Sequence, residues 1–230
     1  MDYRVISIGA LDAHPLWNER SPQRSGHATC TLVRGESEGE KRVILVDPSL
    51  PAPILKARLL ERSGLTPDDI THVFLTSFLP EVRRGIELFE GATWWISGVE
   101  RESVGVPLIS ELQRAAADGE NELAASLERD VAILKRCEAA PDTLADHVDL
   151  FPLPGVTPGL TGLLLEEPRH TTLICGDAVP TSEHLERGAV PHWAGQVSRA
   201  KDSFAEAVEI ADVLILGRDN VVLNPTKRPF

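Results

Sequence analysis

A chain of 230 residues, of which 42% are hydrophobic and 25% charged, has the composition of a globular protein and is long enough to bury a substantial core. Its formal net charge of −12 repels phosphate backbones and anionic lipid, which argues against nucleic acids and membrane surfaces as partners. No apolar run reaches the roughly 20 residues that a membrane-spanning helix requires, and the first residues lack the charged and apolar regions of a secretory signal.

The three cysteines, Cys30, Cys137 and Cys175, lie far apart and form neither a CxxC pair nor a zinc-finger spacing. Each is surrounded by apolar residues, which is typical of a buried free thiol. This use of cysteine predicts a reducing, cytoplasmic location.

Segments typical of strands and helices alternate through the N-terminal part of the chain. Hydrophobic and β-branched runs predict strands at residues 3–10, 27–34, 42–47, 72–76 and 93–97. A polar turn at residues 36–40 joins the second and third of these strands into a hairpin. Helices are predicted at residues 52–62, with Gly64 just past the end, and at residues 81–89, where apolar residues recur at helical spacing.

Residues 108–146 contain few strand signals and one long helical pattern. Leu123, Leu127, Val131 and Leu134 share one face of this helix, acidic residues come early and basic residues come late, as the helix dipole favours. The pattern predicts a helical insertion or layer at about residues 108–146, whose apolar stripe packs on the core.

Strand character returns in the last third of the chain. Strands are predicted at residues 150–153, 161–166, 171–175 and 213–216, with a helix at residues 201–211. We find no internal repeat, low-complexity tract or linker, which predicts a single domain over residues 1–230.

Five local patterns occur in one order, each near the end of a predicted strand. They are Val46-Asp47-Pro48-Ser49; Thr71-His72-Val73-Phe74-Leu75-Thr76 followed by Ser77-Phe78-Leu79-Pro80-Glu81-Val82; Leu153-Pro154-Gly155-Val156; Leu173-Ile174-Cys175-Gly176-Asp177-Ala178; and Leu214-Ile215-Leu216-Gly217-Arg218-Asp219.

In this order the patterns resemble the metallo-β-lactamase superfamily of metal-dependent hydrolases, over roughly residues 3–220. The resemblance implies an α/β fold (α+β by some schemes), a four-layer αββα sandwich of two mixed β-sheets flanked by helices. In that family imidazoles and carboxylates hold two zinc or iron ions, and a metal-bound water becomes the nucleophile near neutral pH.

The family's ligands are His-x-His-x-Asp-His after the second pattern, a His after the Pro-Gly of the third, a bridging Asp in the fourth and a last His in the fifth. The matching positions here are Ser77, Leu79, Glu81, Val82, Val156, Asp177 and Arg218. Only the bridging Asp is retained, as Asp177, and all five histidine positions hold other residues. None of the seven histidines in the chain is spaced as HxH or HxxxH. The comparison therefore implies a degenerate member for which no cofactor is predicted.

These substitutions predict a specific contact. The apolar replacements would fill space and leave Asp177 buried, in need of a counter-charge. Arg218 can supply that charge through a bidentate ion pair. A single divalent cation shared by Glu81 and Asp177 is the alternative, and the guanidinium of Arg218 argues against it because it repels a dication.

Other catalytic signals are weak. The chain contains no nucleophile elbow, P-loop or dinucleotide-binding fingerprint. Ser77 stands at a strand-to-helix turn, but no histidine obviously serves it as a base. Glu81, Asp177 and Asp219 are candidates for general acid–base work, although a carboxylate at a loop end is as often a helix cap.

Two polar loops are candidates for the mouth of a pocket. Residues 13–26 form a long loop between the first strands, in which Trp17, Arg20 and Arg24 are candidate ligand contacts. Trp193 lies in a similar loop after the Asp177 strand. An ordinary surface loop anchored by one tryptophan is the alternative.

The leading interpretation is a metal-free pseudoenzyme, a non-catalytic binding or regulatory protein for an unknown small molecule or protein partner. A divergent hydrolase that uses the residual carboxylates on a small ester, lactone or thioester is the second interpretation. A non-catalytic subunit that partners an intact homologue is the third, and a homodimer is also left open.

Overall fold

Two six-stranded mixed β-sheets pack face to face in the computed structural model, which describes residues 1–227. The first sheet has the order β1-β2-β3-β4-β5-β6, with β1 Asp2–Ser7, β2 Cys30–Ser37, β3 Glu40–Val46, β4 His72–Leu75, β5 Thr93–Ile96 and β6 Glu138–Ala139. The second has the order β12-β11-β10-β9-β8-β7, with β7 Thr143–Ala145, β8 Val148–Pro152, β9 Thr161–Glu166, β10 Thr171–Ile174, β11 Val213–Ile215 and β12 Val221–Leu223. Residues 228–230 of the predicted single domain lie outside the described residues.

Helices cover the outer face of each sheet. They are α1 Ala52–Ser63, α2 Pro80–Arg83, α3 Gly98–Ala117, α4 Asn121–Arg136, α5 Ser182–Arg187 and α6 Val197–Ile210. One apolar cluster joins the first sheet to α1 and α4, a second fills the space between the sheets, and a third joins the second sheet to α6. The predicted four-layer αββα sandwich is therefore confirmed.

The alternation of side chains along a strand explains how one sheet serves two layers. In β3, Ile44 and Val46 pack between the sheets, whereas Leu45 packs toward the helices. The predicted hairpin turns at Glu38 (φ 54°) and Gly39 (φ 82°), two consecutive left-handed residues of the kind that suits a tight hairpin.

The helical layer differs from the predicted insertion at residues 108–146. Two helices, α3 and α4, run from Gly98 to Arg136, and residues 138–145 form the short strands β6 and β7 that lead from one sheet to the other. Gly98 and Pro107 have poor helix propensity, which concealed the first half of α3. Strands of two or three residues are too short to show a period of two.

Other boundaries also shift. The predicted helix at residues 81–89 is divided into α2 and a 3-10 turn at Ile86–Phe89, and Gly85 lies between them. A Cβ atom on Gly85 would lie 2.4 Å from the carbonyl oxygen of Leu50, so only glycine fits there. Within residues 1–227, no helix is both long and apolar enough to cross a membrane.

Candidate functional site

Loops that follow strands of both sheets meet at one edge of the sandwich. The strands β3 and β4 are parallel, as are β10 and β11, so the loops after them leave from the same ends. The Thr161 amide donates to the carbonyl oxygen of Thr76 at 3.0 Å, and the Gly217 amide donates to that of Val179 at 3.1 Å. The edge at the carboxyl ends of parallel strands is a common place for ligand sites.

A buried carboxylate from α3 holds two of these loops together. Glu100 accepts hydrogen bonds from the amides of Phe78 and Gly159, each at 3.0 Å. Ser97 caps α3 and also donates to the Gly159 carbonyl oxygen at 2.7 Å. Glu100 was not among the residues predicted from the sequence, although the Ser-x-x-Glu spacing of Ser97 and Glu100 is a signal that could have located this helix start; the Glu100 carboxylate accepts from the loop amides rather than from the cap residue.

Asp177 and Arg218 form the ion pair that the sequence predicts. Arg218 Nε donates to Asp177 Oδ1 at 2.7 Å, and Arg218 Nη2 donates to Oδ2 at 2.7 Å. The two residues are only 2% and 6% exposed. Burial lowers the pKa of Arg218, but the charge and hydrogen bonds of Asp177 outweigh burial and raise that pKa well above its usual range. Both oxygens of Asp177 are thus occupied by a permanent cation.

A second buried aspartate stands behind this pair. Asp47, at φ 53°, accepts hydrogen bonds from the amide and the hydroxyl of Thr76, both at 2.8 Å. Burial raises the pKa of Asp47 to about 7, the Thr76 donors oppose this rise, and the charge of Asp177 adds to it. Asp47 was part of a strand-end pattern in the sequence, but nothing there indicated this environment.

The residues at the seven ligand positions do not fit a pair of metal ions. Val82 and Val156 are buried in two different apolar clusters, and Ser77 is 1% exposed with a hydroxyl that has no hydrogen-bond partner among the described residues. Arg218 places a guanidinium where the family has an imidazole. In the part of the chain that the structure describes, no three His, Cys, Asp or Glu side chains are placed to share a metal. His72, in the strand part of the second pattern, stacks on Trp95 with ring centroids 4.1 Å apart.

An open cavity of about 390 Å³ lies over the ion pair. Its wall is formed by Leu11, Asp12, Gly26, Leu79, Glu81, Arg84, Trp193 and Arg218. We call this space the loop cavity. Its volume falls within the range of roughly 300–1,000 Å³ that is usual for small-molecule sites.

The predicted catalytic candidates are dispersed. Ser77 is buried away from the loop cavity, and Asp177 is held by Arg218. Asp219 accepts hydrogen bonds from the amide of Ser182 at 3.0 Å and from its hydroxyl at 2.7 Å, which fixes it at the start of α5. Of these candidates, Glu81 presents a carboxylate to the loop cavity, and this carboxylate makes no hydrogen bond or ion pair with the described residues.

Of the four predicted pocket-mouth residues, Trp193 lines the loop cavity. Its loop is joined to the Pro154–Val156 turn because the Gly195 and Gln196 amides donate to the carbonyl oxygens of Val156 and Gly155. The structure does not bring Trp17, Arg20 or Arg24 into the cavity wall. Trp17 stacks on His14 at 4.2 Å, Arg24 pairs with Glu19, and Arg20 is exposed.

A buried histidine pair, which the sequence did not reveal, anchors the loop at residues 13–26. His14 Nε2 lies 3.2 Å from Thr181 Oγ1 and 3.1 Å from Glu183 Oε2, and His184 Nδ1 lies 2.9 Å from the same Thr181 oxygen. Burial and the nearby charge of His14 lower the pKa of His184 to about 4. These contacts hold the loop that supplies Leu11, Asp12 and Gly26 to the cavity wall.

Comparison with known proteins bears on the fold. A family model described as the metallo-β-lactamase superfamily matches residues 24–76. Comparison with curated protein sequences gives no significant match.

Solved structures match along most of the chain. AidC, a dizinc quorum-quenching lactonase in complex with the product N-hexanoyl-L-homoserine, is 16% identical with a TM-score of 0.65, covering 88% of this chain and 77% of its own. AiiA of B. thuringiensis, with N-decanoyl-L-homoserine bound at its active site, is 18% identical with a TM-score of 0.64, covering 94% and 92%. A Thermotoga maritima protein provisionally described as a metallo-β-lactamase is 18% identical with a TM-score of 0.67, covering 96% and 98%. The predicted resemblance and fold class are thus confirmed.

Proposed function

Because the chain has the fold of the metallo-β-lactamase superfamily but unsuitable residues at the metal-ligand positions, we propose that it is a metal-free, non-catalytic binding protein. Its binding site is the loop cavity above the Asp177–Arg218 ion pair. The proposal rests on that pair. A buried guanidinium that donates to both Asp177 oxygens at 2.7 Å places a permanent positive charge beside this carboxylate, and that charge repels a divalent metal ion.

The surrounding residues support the same conclusion. A structural or catalytic zinc site requires three or four converging nitrogen, sulfur or carboxylate ligands. A lone hard cation at Glu81 and Asp177 would have to displace Arg218, which would leave that guanidinium buried without its partner. Breaking a buried pair in this way costs about 3–5 kcal/mol, which the remaining carboxylate of Glu81 does not offset.

Metal analysis tests the proposal directly. The purified chain is exposed in turn to Zn²⁺, Fe²⁺ and Mn²⁺, freed of excess ions and analysed for bound metal. We expect far less than one ion per chain. Near-stoichiometric metal that is lost in Asp177→Ala and kept in the control Asp68→Ala, an exposed aspartate on the same chain, would overturn the proposal.

A divergent hydrolase is the second candidate, because several similar structures are lactonases and Glu81 faces the loop cavity without a partner. The substrate to test is N-hexanoyl-L-homoserine lactone, whose ring-opened product is bound in AidC. The two variants to compare are Glu81→Gln and Glu87→Gln, an exposed glutamate in the same segment. Turnover that disappears only in Glu81→Gln would favour the hydrolase and contradict the binding function. No turnover in any of the three proteins is the result that we expect.

A further inference from the structure

The floor of the loop cavity offers a hydrogen-bond donor without an acceptor. Arg218 donates to Asp177 from Nε and Nη2, and these are its only side-chain hydrogen bonds among residues 1–227, so its remaining nitrogen, Nη1, is left without an acceptor there. Arg218 lines the loop cavity although it is only 6% exposed. Asp177 already balances the charge of Arg218, so Arg218 Nη1 acts in the loop cavity as a fixed hydrogen-bond donor for an oxygen atom of a ligand.

The wall of the loop cavity carries a cation without a carboxylate partner. Arg84 Nη1 donates to Ser25 Oγ at 3.3 Å and Nη2 donates to the Gly26 carbonyl oxygen at 3.2 Å. Both acceptors are neutral, so they orient the guanidinium without compensating its charge. A ligand carboxylate near Arg84 and Arg218 would therefore meet one uncompensated positive charge and one free donor.

The same wall carries two carboxylates that form no ion pair with the described residues. The Glu81 carboxylate makes no hydrogen bond with these residues, although its negative charge helps to raise the pKa of Arg218, and the Asp12 carboxylate accepts only from the Ala13 amide, at 2.6 Å. An ammonium group between them would gain charge-assisted hydrogen bonds. A ligand with only a carboxylate would instead be repelled by both.

Apolar surface separates these polar groups. Leu11, Leu79 and Trp193 complete the lining, and the indole of Trp193 is half-buried against the cluster that includes Val156. An aliphatic or aromatic group placed there would be removed from water at about 25 cal/mol per Å².

We propose that the loop cavity binds a zwitterion, specifically an α-amino acid with a hydrophobic side chain. The carboxylate lies toward Arg84 and Arg218 Nη1, the ammonium toward Glu81 and Asp12, and the side chain against Leu79 and Trp193. The inference rests on the proposed binding function and names its ligand class. A zwitterion is favoured because it is the one charge pattern that satisfies both sets of uncompensated groups.

Calorimetric titration of the full chain with L-leucine, N-acetyl-L-leucine and L-leucine methyl ester tests the ligand class. The second compound lacks the ammonium and the third lacks the carboxylate. A hydrogen bond to a charged group contributes about 1.5–3 kcal/mol, so each blocked compound should bind roughly tenfold to a hundredfold more weakly than leucine.

Variants test the proposed partners of the ammonium group and of the hydrophobic side chain. Glu81→Gln should weaken the binding of leucine by about tenfold but should not weaken that of N-acetyl-L-leucine, because this compound has no ammonium for Glu81 to bind and its carboxylate is repelled by Glu81. The control Glu87→Gln should change neither. Leucine should alter tryptophan emission, and Trp193→Phe should remove that response whereas Trp17→Phe should keep it.

Two results would overturn the inference. In the first, leucine does not bind, or binds no better than its blocked forms. In the second, N-hexanoyl-L-homoserine, a carboxylate without a free ammonium, binds in a Trp193-dependent way and leucine does not. The second result would contradict the ligand class but remain consistent with the proposed binding function. By contrast, stoichiometric bound metal that depends on Asp177, in the metal analysis described above, would contradict the proposed binding function itself.

Discussion

Breaking the Asp177–Arg218 pair from one side should destabilise the fold strongly. Arg218→Met removes two hydrogen bonds of 2.7 Å and leaves the Asp177 carboxylate 2% exposed, with Asp47 as a second buried acid nearby. Each hydrogen bond to a charged group contributes about 1.5–3 kcal/mol. Protonation of the Asp177 carboxylate, once it lacks its partner, recovers part of the lost stability. We therefore expect the free energy of unfolding to fall by about 3–5 kcal/mol. Asp177→Ala, which leaves the buried guanidinium of Arg218 without an ion-pair partner, should have a similar effect.

The double variant measures the interaction between Asp177 and Arg218 separately from the contribution of each side chain. Asp177→Ala with Arg218→Met leaves no buried charge, so its loss should be smaller than the sum of the single losses by about 2–3 kcal/mol. The assay is urea unfolding at pH 7.5, read from the midpoint and slope of the transition. The control is Arg58→Met, which removes a largely exposed ion pair with Glu61 and should change the midpoint little. Additive losses, or single variants as stable as the control, would refute the argument that this pair is a buried, mutually dependent unit.

Three further predictions concern buried polar groups. Glu100→Gln should lower the free energy of unfolding by about 1–3 kcal/mol in the same urea assay, because a neutral amide replaces the charged acceptor of two loop amides; the exposed control Glu102→Gln should not. The pKa of His184 is lowered to about 4 in the folded state, so the unfolded chain binds more protons than the folded chain between about pH 6.5 and 4. The free energy of unfolding should therefore fall as the pH falls through that window, and it should fall less in His184→Gln. The pKa of Asp47 is raised to about 7, so the folded chain binds more protons than the unfolded chain between about pH 4 and 7. The free energy of unfolding of the native chain, relative to that of Asp47→Asn, should therefore decline as the pH rises through that window. Urea midpoints of each variant and the native chain from pH 4 to 8 check both, and parallel profiles would contradict them.

The sequence was informative where function depends on position along a strand. The ends of β3, β4, β10 and β11 carry short patterns of fixed order, and their resemblance to the metallo-β-lactamase superfamily implied which loop residues stand at the ligand positions. The contact of Asp177 with Arg218 followed from the same reasoning, although 41 residues separate them. Each of those two positions is defined by its own strand end, and a buried carboxylate requires a counter-charge.

The rest of the site depends on contacts that no local pattern encodes. Glu100 reaches Gly159 across 59 residues, and His14 reaches Thr181 across 167. Glu100 and His14 are single polar side chains. The partner of Glu100 is a backbone amide and that of His14 is a hydroxyl, and such groups are common throughout the chain. For the same reason the sequence could not decide whether Trp17 was a ligand contact or an anchor of its loop, and in the structure Trp17 stacks on His14.

The two changes at Asp177 and position 218 are energetically linked. Arginine at position 218 beside bound metal ions would be repelled by them, and Asp177 without either metal or arginine would be a buried charge with no counter-ion. The carboxylate therefore favours one of two partners, a set of metal ions or a guanidinium, and the positive charge of the guanidinium opposes the binding of metal ions. The pair also changes the floor of the cavity from a centre that would activate water to a neutral surface with one outward donor. A site of that kind would hold a polar ligand in place without supplying a nucleophile, which is the reason that we propose binding rather than hydrolysis.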